Sequence, residues 1–243
     1  MAGTPRDYNR GMIPWLRDND PFPPVTRALR EPNGLLAAGA DLAPRRLLDA
    51  YRRGIFPWYG EGEPVLWWSP DPRMVLFPRE LKLARSLRKR IAKRDYTVRA
   101  DSDFDAVIRS CAAPRSGREG TWITPDMIDA YGALHRTGHA HSVEIWMDGT
   151  LAGGLYGVAI GRMFYGESMF TDRSDASKVA LAHLVRQLDC WGFEMIDCQM
   201  TTSHLARFGA REIPRAEFIR KLSTLVNYPD SASKWRLDDD LFD

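Results

Sequence analysis

Apolar positions along the chain fall into two periods. From Leu81 to Arg94, Leu83, Leu87 and Ile91 recur every four residues, while Lys82, Arg85, Arg88, Lys89 and Lys93 take other faces, which predicts an amphipathic, strongly basic helix. A second helix is expected from Pro125 to Thr137, capped by Thr124 and stopped at Gly138. The runs HSVEIWM, TLAGGLYGV and MFYGESMF read as strands, and the turn pairs Asp148-Gly149 and Gly161-Arg162 between them predict an antiparallel meander. After the loop TDRSDASK, a helix from Ala176 to Trp191 buries Val179, Leu181, Leu184, Val185 and Leu188 and stops at Gly192. A further strand, FEMIDCQM, and short helices around His204 and from Ala216 to Leu225 complete the pattern. Three strands, a helix and a fourth strand imply an α+β fold, a mixed sheet with helices.

The segment up to Pro72 has another texture. PFPPVTRALREPNGLL crowds Pro21, Pro23, Pro24 and a Pro32-Asn33-Gly34 turn signal together. One short helix starts near Pro44 and stops at Gly54, and IFPWYGEGEPVLWWSPDPR then sets Trp58, Trp67 and Trp68 among glycines and prolines. Residues 1–72 are therefore expected to form a small, loop-rich domain with an aromatic seam, and residues 73–243 a larger one. At the other end, the acidic stretch with Asp238, Asp239 and Asp240 reads as a frayed tail.

Composition narrows the class without deciding it. With 44% hydrophobic and 27% charged residues in 243, the chain is globular. Its 34 basic and 32 acidic residues nearly cancel, so only their distribution speaks to a nucleic-acid partner. Residues 79–99 hold nine Lys and Arg against Glu80 and Asp95, an imbalance that favours a phosphate-binding surface over an ordinary solvated helix face. Cys111, Cys190 and Cys198 are odd in number and lack paired spacing, against a disulfide framework or structural zinc and for a reducing compartment. Met1 to Leu16 contains no apolar run of a signal peptide, and no stretch approaches the ~18 apolar residues of a membrane span, so the expected location is the cytoplasm.

Candidate chemistry lies on the strands. Alternation puts Asp197 and Gln199 on one face of FEMIDCQM, and Glu167 on one face of MFYGESMF with Tyr165 and Met169. Carboxylates on such apolar strands are either satisfied polar groups at strand ends or members of a reaction centre, because an unpartnered buried charge is costly. His135, His139 and His141 are separated by Gly138 and have no evident fourth ligand nearby, so they read as turn and strand-entry residues and no metal is expected. The segment contains no P-loop or dinucleotide fingerprint. TDRSDASK also lacks the glycine-containing pyrophosphate loop that acyl-CoA-dependent acetyltransferases place after the corresponding strand.

The strings REPNGLLAAGADL, RRGIFPWY, LWWSPDPR, EGTWIT, AHSVEIW, GGLYGV, GESMF, ASK, IDCQ and FGAREIPR, in this order from Arg30 to Arg215, resemble the leucyl/phenylalanyl-tRNA-protein transferase family. The resemblance implies a small N-terminal domain and a C-terminal acetyltransferase-like (GNAT-like) domain, used without coenzyme A or any other cofactor. It implies transfer of leucine or phenylalanine, less readily methionine, from aminoacyl-tRNA to proteins beginning with arginine or lysine, which marks them for N-end rule degradation. It puts Glu167, Asp197 and Gln199 at the reaction centre. Asp197 is expected to polarise Gln199, whose carbonyl receives the attacking amine, with Glu167 binding amine or ammonium groups. Leu155, Phe164, Met169, Leu181, Leu184 and Ile196 are expected to line an apolar side-chain pocket or else to be plain core. Trp58 and Trp122 would stack on the terminal adenosine, and Arg85, Arg88, Lys89 and Lys93 would hold the tRNA backbone. Two other readings are a transferase that modifies a cell-wall precursor and a tRNA-binding module without catalysis. The acceptor separates the first, and single-turnover transfer the second.

Overall fold

A computed structural model describes residues 13–113, 122–230 and 234–242 of the chain. Residues 1–12 of the polar N-terminal stretch, and Glu119 to Thr121 of the EGTWIT string, lie outside the described residues.

The N-terminal region folds around a small sheet of β1 (Trp15–Leu16), β2 (Leu35–Gly39), β3 (Phe56–Pro57) and β4 (Leu66–Trp68), ordered β1-β2-β4-β3. Helix α1 (Pro44–Arg52) joins β2 to β3, with Pro44 at its start and Gly54 at a φ of +74° beyond its end. The aromatic seam is real but mostly internal. Trp67 is fully buried, with its indole N–H on the Gly39 carbonyl, and Trp68 donates to the Trp58 carbonyl.

The second sheet contains β5 (Arg73–Leu76) and, after helix α2 (Arg85–Ala92), β6 (Thr97–Ala100). Helices α3 (Phe104–Ala112) and α4 (Pro125–Arg136) follow, then β7 (Ala140–Met147), β8 (Thr150–Ile160) and β9 (Met163–Thr171) as the expected meander. Helix α5 (Ala176–Cys190) crosses over to β10 (Met195–Gln199), which runs parallel to β9. Short helix α6 (Ser203–Ala206), edge strand β11 (Arg211–Ile213) and helix α7 (Arg215–Leu225) close the chain, and the strand order is β11-β5-β10-β9-β8-β7-β6. This is the expected α+β architecture, a mixed sheet with helices on both faces.

Strand alternation divides the core. Met74, Leu76, Phe164 and Ile196 face α5, while Val75, Met163, Tyr165 and Met195 face the side of α1, α3, α4, α7 and the small sheet. The small sheet shares this second core, so Leu36, Tyr51 and Trp67 belong to one apolar cluster with Val75, Tyr165 and Phe218. Two irregularities break the alternation. On β9 the register with β8 passes from Gly157↔Gly166 to Tyr156↔Ser168, which makes Glu167 the extra residue of a β-bulge. On β10 the register with β5 skips Cys198, and Gln199 takes a φ of +60°. Hence Phe164 and Met169, five residues apart, pack on the same side, where strict alternation would oppose them.

The expected frayed tail is corrected. Trp235 is buried and stacks on His141 at 3.9 Å between ring centres, and its backbone N–H donates to Asp101 Oδ2 at 2.8 Å. Asp238 and Gln187 exchange two further hydrogen bonds. A single large aromatic anchors an acidic run that charge alone would leave in solvent. His141 also bonds Asp101 and the Gly138 carbonyl, so it serves the packing of this tail.

Gly157, opposite the β9 bulge, has no room for a side chain. An added Cβ would sit 2.2 Å from the Tyr165 carbonyl oxygen and 2.4 Å from the Phe164 ring. Gly157→Ala should therefore destabilise the protein by about 1–3 kcal/mol, the usual cost of overpacking a core. Urea unfolding of both proteins measures this, and an unchanged midpoint would mean that the bulge yields freely.

Candidate active site

The parallel pairing of β9 and β10 runs from Met163↔Met195 to Tyr165↔Asp197 and is not continued beyond. Both bulges lie just past this point, so the strands part and a cavity of about 590 Å³ opens between them. Leu155, Phe164, Met169, Leu181, Leu184 and Ile196 all line it, as do Trp58 and Trp122. Glu167, Asp197 and Gln199 line the same cavity. Four elements supply these apolar residues: β8 and β9 from the meander, α5 from the crossover, and β10 with Ile196.

Tyr51 of α1 and Tyr131 of α4 bond the two oxygens of Glu167 at 2.7 and 2.9 Å, and Gln199 Nε2 donates to Oε1 at 2.9 Å across the split between the strands. Burial pushes the Glu167 carboxyl up to about 7, against the stabilising bonds from the two tyrosines and Gln199. Tyr51 and Tyr131 are pushed well above their ordinary range, first by burial and then by the charge of Glu167.

Asp197 is fully buried and is held by Arg73 of β5 through two bonds, Nε to Oδ1 at 2.8 Å and Nη2 to Oδ2 at 2.6 Å. The Arg73 guanidinium lies between the rings of Phe56 and Phe218, 4.7 Å from each centre. Asp197 reaches Gln199 through the backbone: Oδ1 accepts the Gln199 N–H at 2.8 Å, while the Gln199 side chain turns to Glu167. The direct side-chain relay expected between Asp197 and Gln199 is thus replaced by a backbone link, because the bulge at Cys198 rotates Gln199 out of the strand's alternation.

Arg85, Arg88 and Lys89 lie on α2 and Lys93 at its end, all exposed and outside the cavity lining. Sequence reasoning missed Tyr51, Tyr131 and Arg73, the residues that hold the carboxylates. Tyr131 looks like an ordinary core position of a helix. Arg73 carried a signal, an arginine at the start of the apolar run RMVL, where a charge requires a partner.

The family model described as "Leucyl/phenylalanyl-tRNA protein transferase" matches residues 75–223, and that of its N-terminal domain matches residues 40–71. The chain belongs to this transferase family. The leucyl/phenylalanyl-tRNA–protein transferase of Nitrosospira multiformis is 63% identical over 93% of this chain and 98% of that protein, and that of Nitrosomonas europaea is 61% identical over 93% and 96%. The expectation of an aminoacyltransferase holds at the level of the family. Among solved structures, a GCN5-related N-acetyltransferase from Kribbella flavida aligns over 68% of this chain and 59% of that chain at 13% identity and a TM-score of 0.36. L-PGS from Bacillus licheniformis aligns over 80% and 74% at 8% and 0.43. No helix among the described residues is long and apolar enough to cross a membrane.

Removing one partner of the Arg73–Asp197 pair leaves the other charged, buried and unmatched. Asp197→Ala should cost about 3–5 kcal/mol of stability, and Arg73→Met combined with Asp197→Leu should recover much of it. Denaturant unfolding of the single and double variants decides. Equal loss in both would mean that the site depends on the rings around the guanidinium and not on charge pairing.

Proposed function

We propose that the protein transfers leucine or phenylalanine, and less readily methionine, from aminoacyl-tRNA to the α-amino group of acceptor proteins that begin with arginine or lysine. The products are substrates for N-end rule degradation, and the reaction takes place in the cytoplasm. One observation carries this reading: an apolar cavity with room for a large aliphatic or aromatic side chain ends on the carboxyl of Glu167 and the amide of Gln199, which are bonded to each other. The names of its relatives supply the donor and acceptor classes.

An aminoacyl ester is already activated, so its aminolysis requires a neutral amine held against the carbonyl and no covalent intermediate. Leu155, Phe164, Met169, Leu181, Leu184 and Ile196 receive the donor side chain. Trp58 and Trp122, which line the same cavity, stack on the terminal adenosine. Glu167 binds an amine or ammonium group. The Gln199 carbonyl accepts a hydrogen bond from the attacking amine as the new C–N bond forms; the bond from the carbonyl carbon to the ribose oxygen breaks, and the proton given up by the amine passes to that departing oxygen. Asp197, locked by Arg73, sets the Gln199 backbone. Arg85, Arg88, Lys89 and Lys93 draw in the tRNA phosphates. In this reading residues 1–72 form a small unit that contributes Tyr51 and Trp58, and residues 73–243 the transfer unit.

The test supplies labelled leucyl-, phenylalanyl- and methionyl-tRNA with peptides of varied N-terminus and identifies the products by mass spectrometry. Transfer to Arg- and Lys-initiated peptides is expected, and transfer to a muropeptide or none at all would overturn the reading. Gln199→Ala should slow single-turnover transfer by roughly 10²- to 10⁴-fold with tRNA affinity nearly kept. Met169→Ala or Phe164→Ala should change the phenylalanine-to-leucine ratio by roughly ten-fold; an unchanged ratio returns both to the core. Arg85→Ala with Lys89→Ala should flatten the salt dependence of tRNA binding by roughly 1.5 in log–log slope. The same double variant should spare a minimal donor without the tRNA body.

A further inference from the structure

Three oxygen–oxygen contacts close a ring at Glu167. The Tyr51 hydroxyl lies 2.7 Å from Oε1, the Tyr131 hydroxyl 2.9 Å from Oε2, and the two hydroxyls 2.5 Å from each other. Each contact is of hydrogen-bond length and needs one hydrogen. A tyrosine hydroxyl brings one, and an ionised carboxylate brings none. With Glu167 ionised, two hydrogens serve three contacts, and one pair of oxygens faces the other through lone pairs alone. With Glu167 protonated the count closes: the carboxyl O–H donates to Tyr51, Tyr51 donates to Tyr131, and Tyr131 donates to the other carboxyl oxygen. Gln199 Nε2 donates to Oε1 in either state and leaves the count unchanged.

The surroundings also favour the acid. Among the described residues, Tyr51 from α1, Tyr131 from α4, Tyr156 from β8 and Asp197 from β10 interact with Glu167, and none of these four is a cation; Cys198 and His204 line the same cavity. Arg73, the nearby positive charge on β5, is committed to Asp197 by two bonds. Burial raises the carboxyl to about 7, and the charge of Asp197 acts in the same direction.

We infer that Tyr51 and Tyr131 hold Glu167 as the neutral acid in the free protein through a closed ring of three hydrogen bonds, and that docking of a substrate ammonium group expels the carboxyl proton. The second half rests on the amine-binding role proposed for Glu167; the proton count does not. In the docking step the carboxylic acid and the incoming ammonium become a carboxylate–ammonium pair, and one proton passes to solvent. Only an O–H bond breaks. Ammonium affinity therefore rises with pH as Glu167 ionises, until the α-amine itself loses its proton near ~8. Tyr51 and Tyr131 are positioning residues, acting through the carboxyl they hold.

Infrared difference spectra of the full chain against Glu167→Gln test the ring. A carboxylic acid carbonyl band is expected in the wild type at about pH 6, vanishing as pH rises through the Glu167 titration. Tyr51→Phe and Tyr131→Phe should each lower the midpoint, on the order of one pH unit, because the broken ring no longer requires a third hydrogen. A tyrosine that merely donates to a carboxylate predicts the opposite sign, so an upward shift, or no acid band at about pH 6, overturns the inference. If a phenylalanine variant fails to fold, the wild-type band and its titration decide alone. Calorimetry with phenylalanine methyl ester in buffers of different ionisation enthalpy tests the docking step. The wild type should release about one proton at about pH 6, and Glu167→Gln none. An acid band without proton release on ester binding would leave the ring standing and overturn the docking step together with the amine-binding role.

Discussion

The site depends on one buried ion pair. Arg73 and Asp197 are both fully inside the protein and joined by two short bonds, and the two strands they tie together, β5 and β10, both contribute residues to the cavity lining. Arg73 begins β5 and Asp197 ends the regular part of β10, so the pair ties two neighbouring strands where their register breaks. Desolvating both charges is expensive, and the bidentate geometry with flanking aromatic rings offsets much of that cost. The spare capacity of Asp197 goes to the Gln199 N–H, which pins a residue at a φ of +60° that the strand alone would not hold. Charge pairing thus becomes backbone geometry, and backbone geometry aims the amide.

The cavity follows from that local break. Two parallel strands that stayed paired would bury the space between them with side chains. Here the bulges on β9 and β10 stand side by side, one advancing Glu167 and the other turning Gln199, and the two side chains bridge the gap by a single hydrogen bond. The apolar residues beyond the split remain as a wall without an opposing strand. That wall is continuous with the core under α5, which is why its members are nearly all buried and yet line a cavity. The polar residues sit at one end because only there do α1 and α4 bring hydroxyls from the opposite face of the sheet.

Much of this architecture was legible from periodicity. The meander, α4, α5, β10 and α7 follow their patterns to within a few residues, since each is long enough to show a full apolar face. β5, β6 and β11 are three or four residues long, too short for any pattern, and α3 follows β6 with no proline or glycine to announce it. The residues of the cavity wall stand out in the sequence as apolar positions on or flanking the strands that carry Glu167 and Asp197, but their convergence depends on bulges. Alternation would have put Phe164 and Met169 on opposite faces. The partners of Glu167 were invisible for a different reason: Tyr51 and Tyr131 stand 116 and 36 residues from it, and nothing local in a tyrosine on a helix reveals the carboxyl it will meet. The tail misled in the opposite sense, because its acidic composition outweighed one tryptophan in the reading and not in the fold.

A site for aminolysis of an activated ester can be built without a nucleophile, and this one is arranged accordingly. His183, midway along α5, is bonded to Tyr96 and lowered to about 4 by burial, so it is neutral and engaged elsewhere. Cys198 lines the cavity, but its thiol is pushed far up by burial and then by Asp197, which disfavours the thiolate that attack would require. In the proposed reaction the reactive end belongs to an amide, whose carbonyl can accept a hydrogen bond from the amine but cannot form an acyl intermediate, and to a carboxyl ringed by hydroxyls. Such groups orient and exchange protons. With the donor ester already activated, holding an amine in its uncharged form against the carbonyl is the remaining task, and a protein interior that disfavours charge is suited to it.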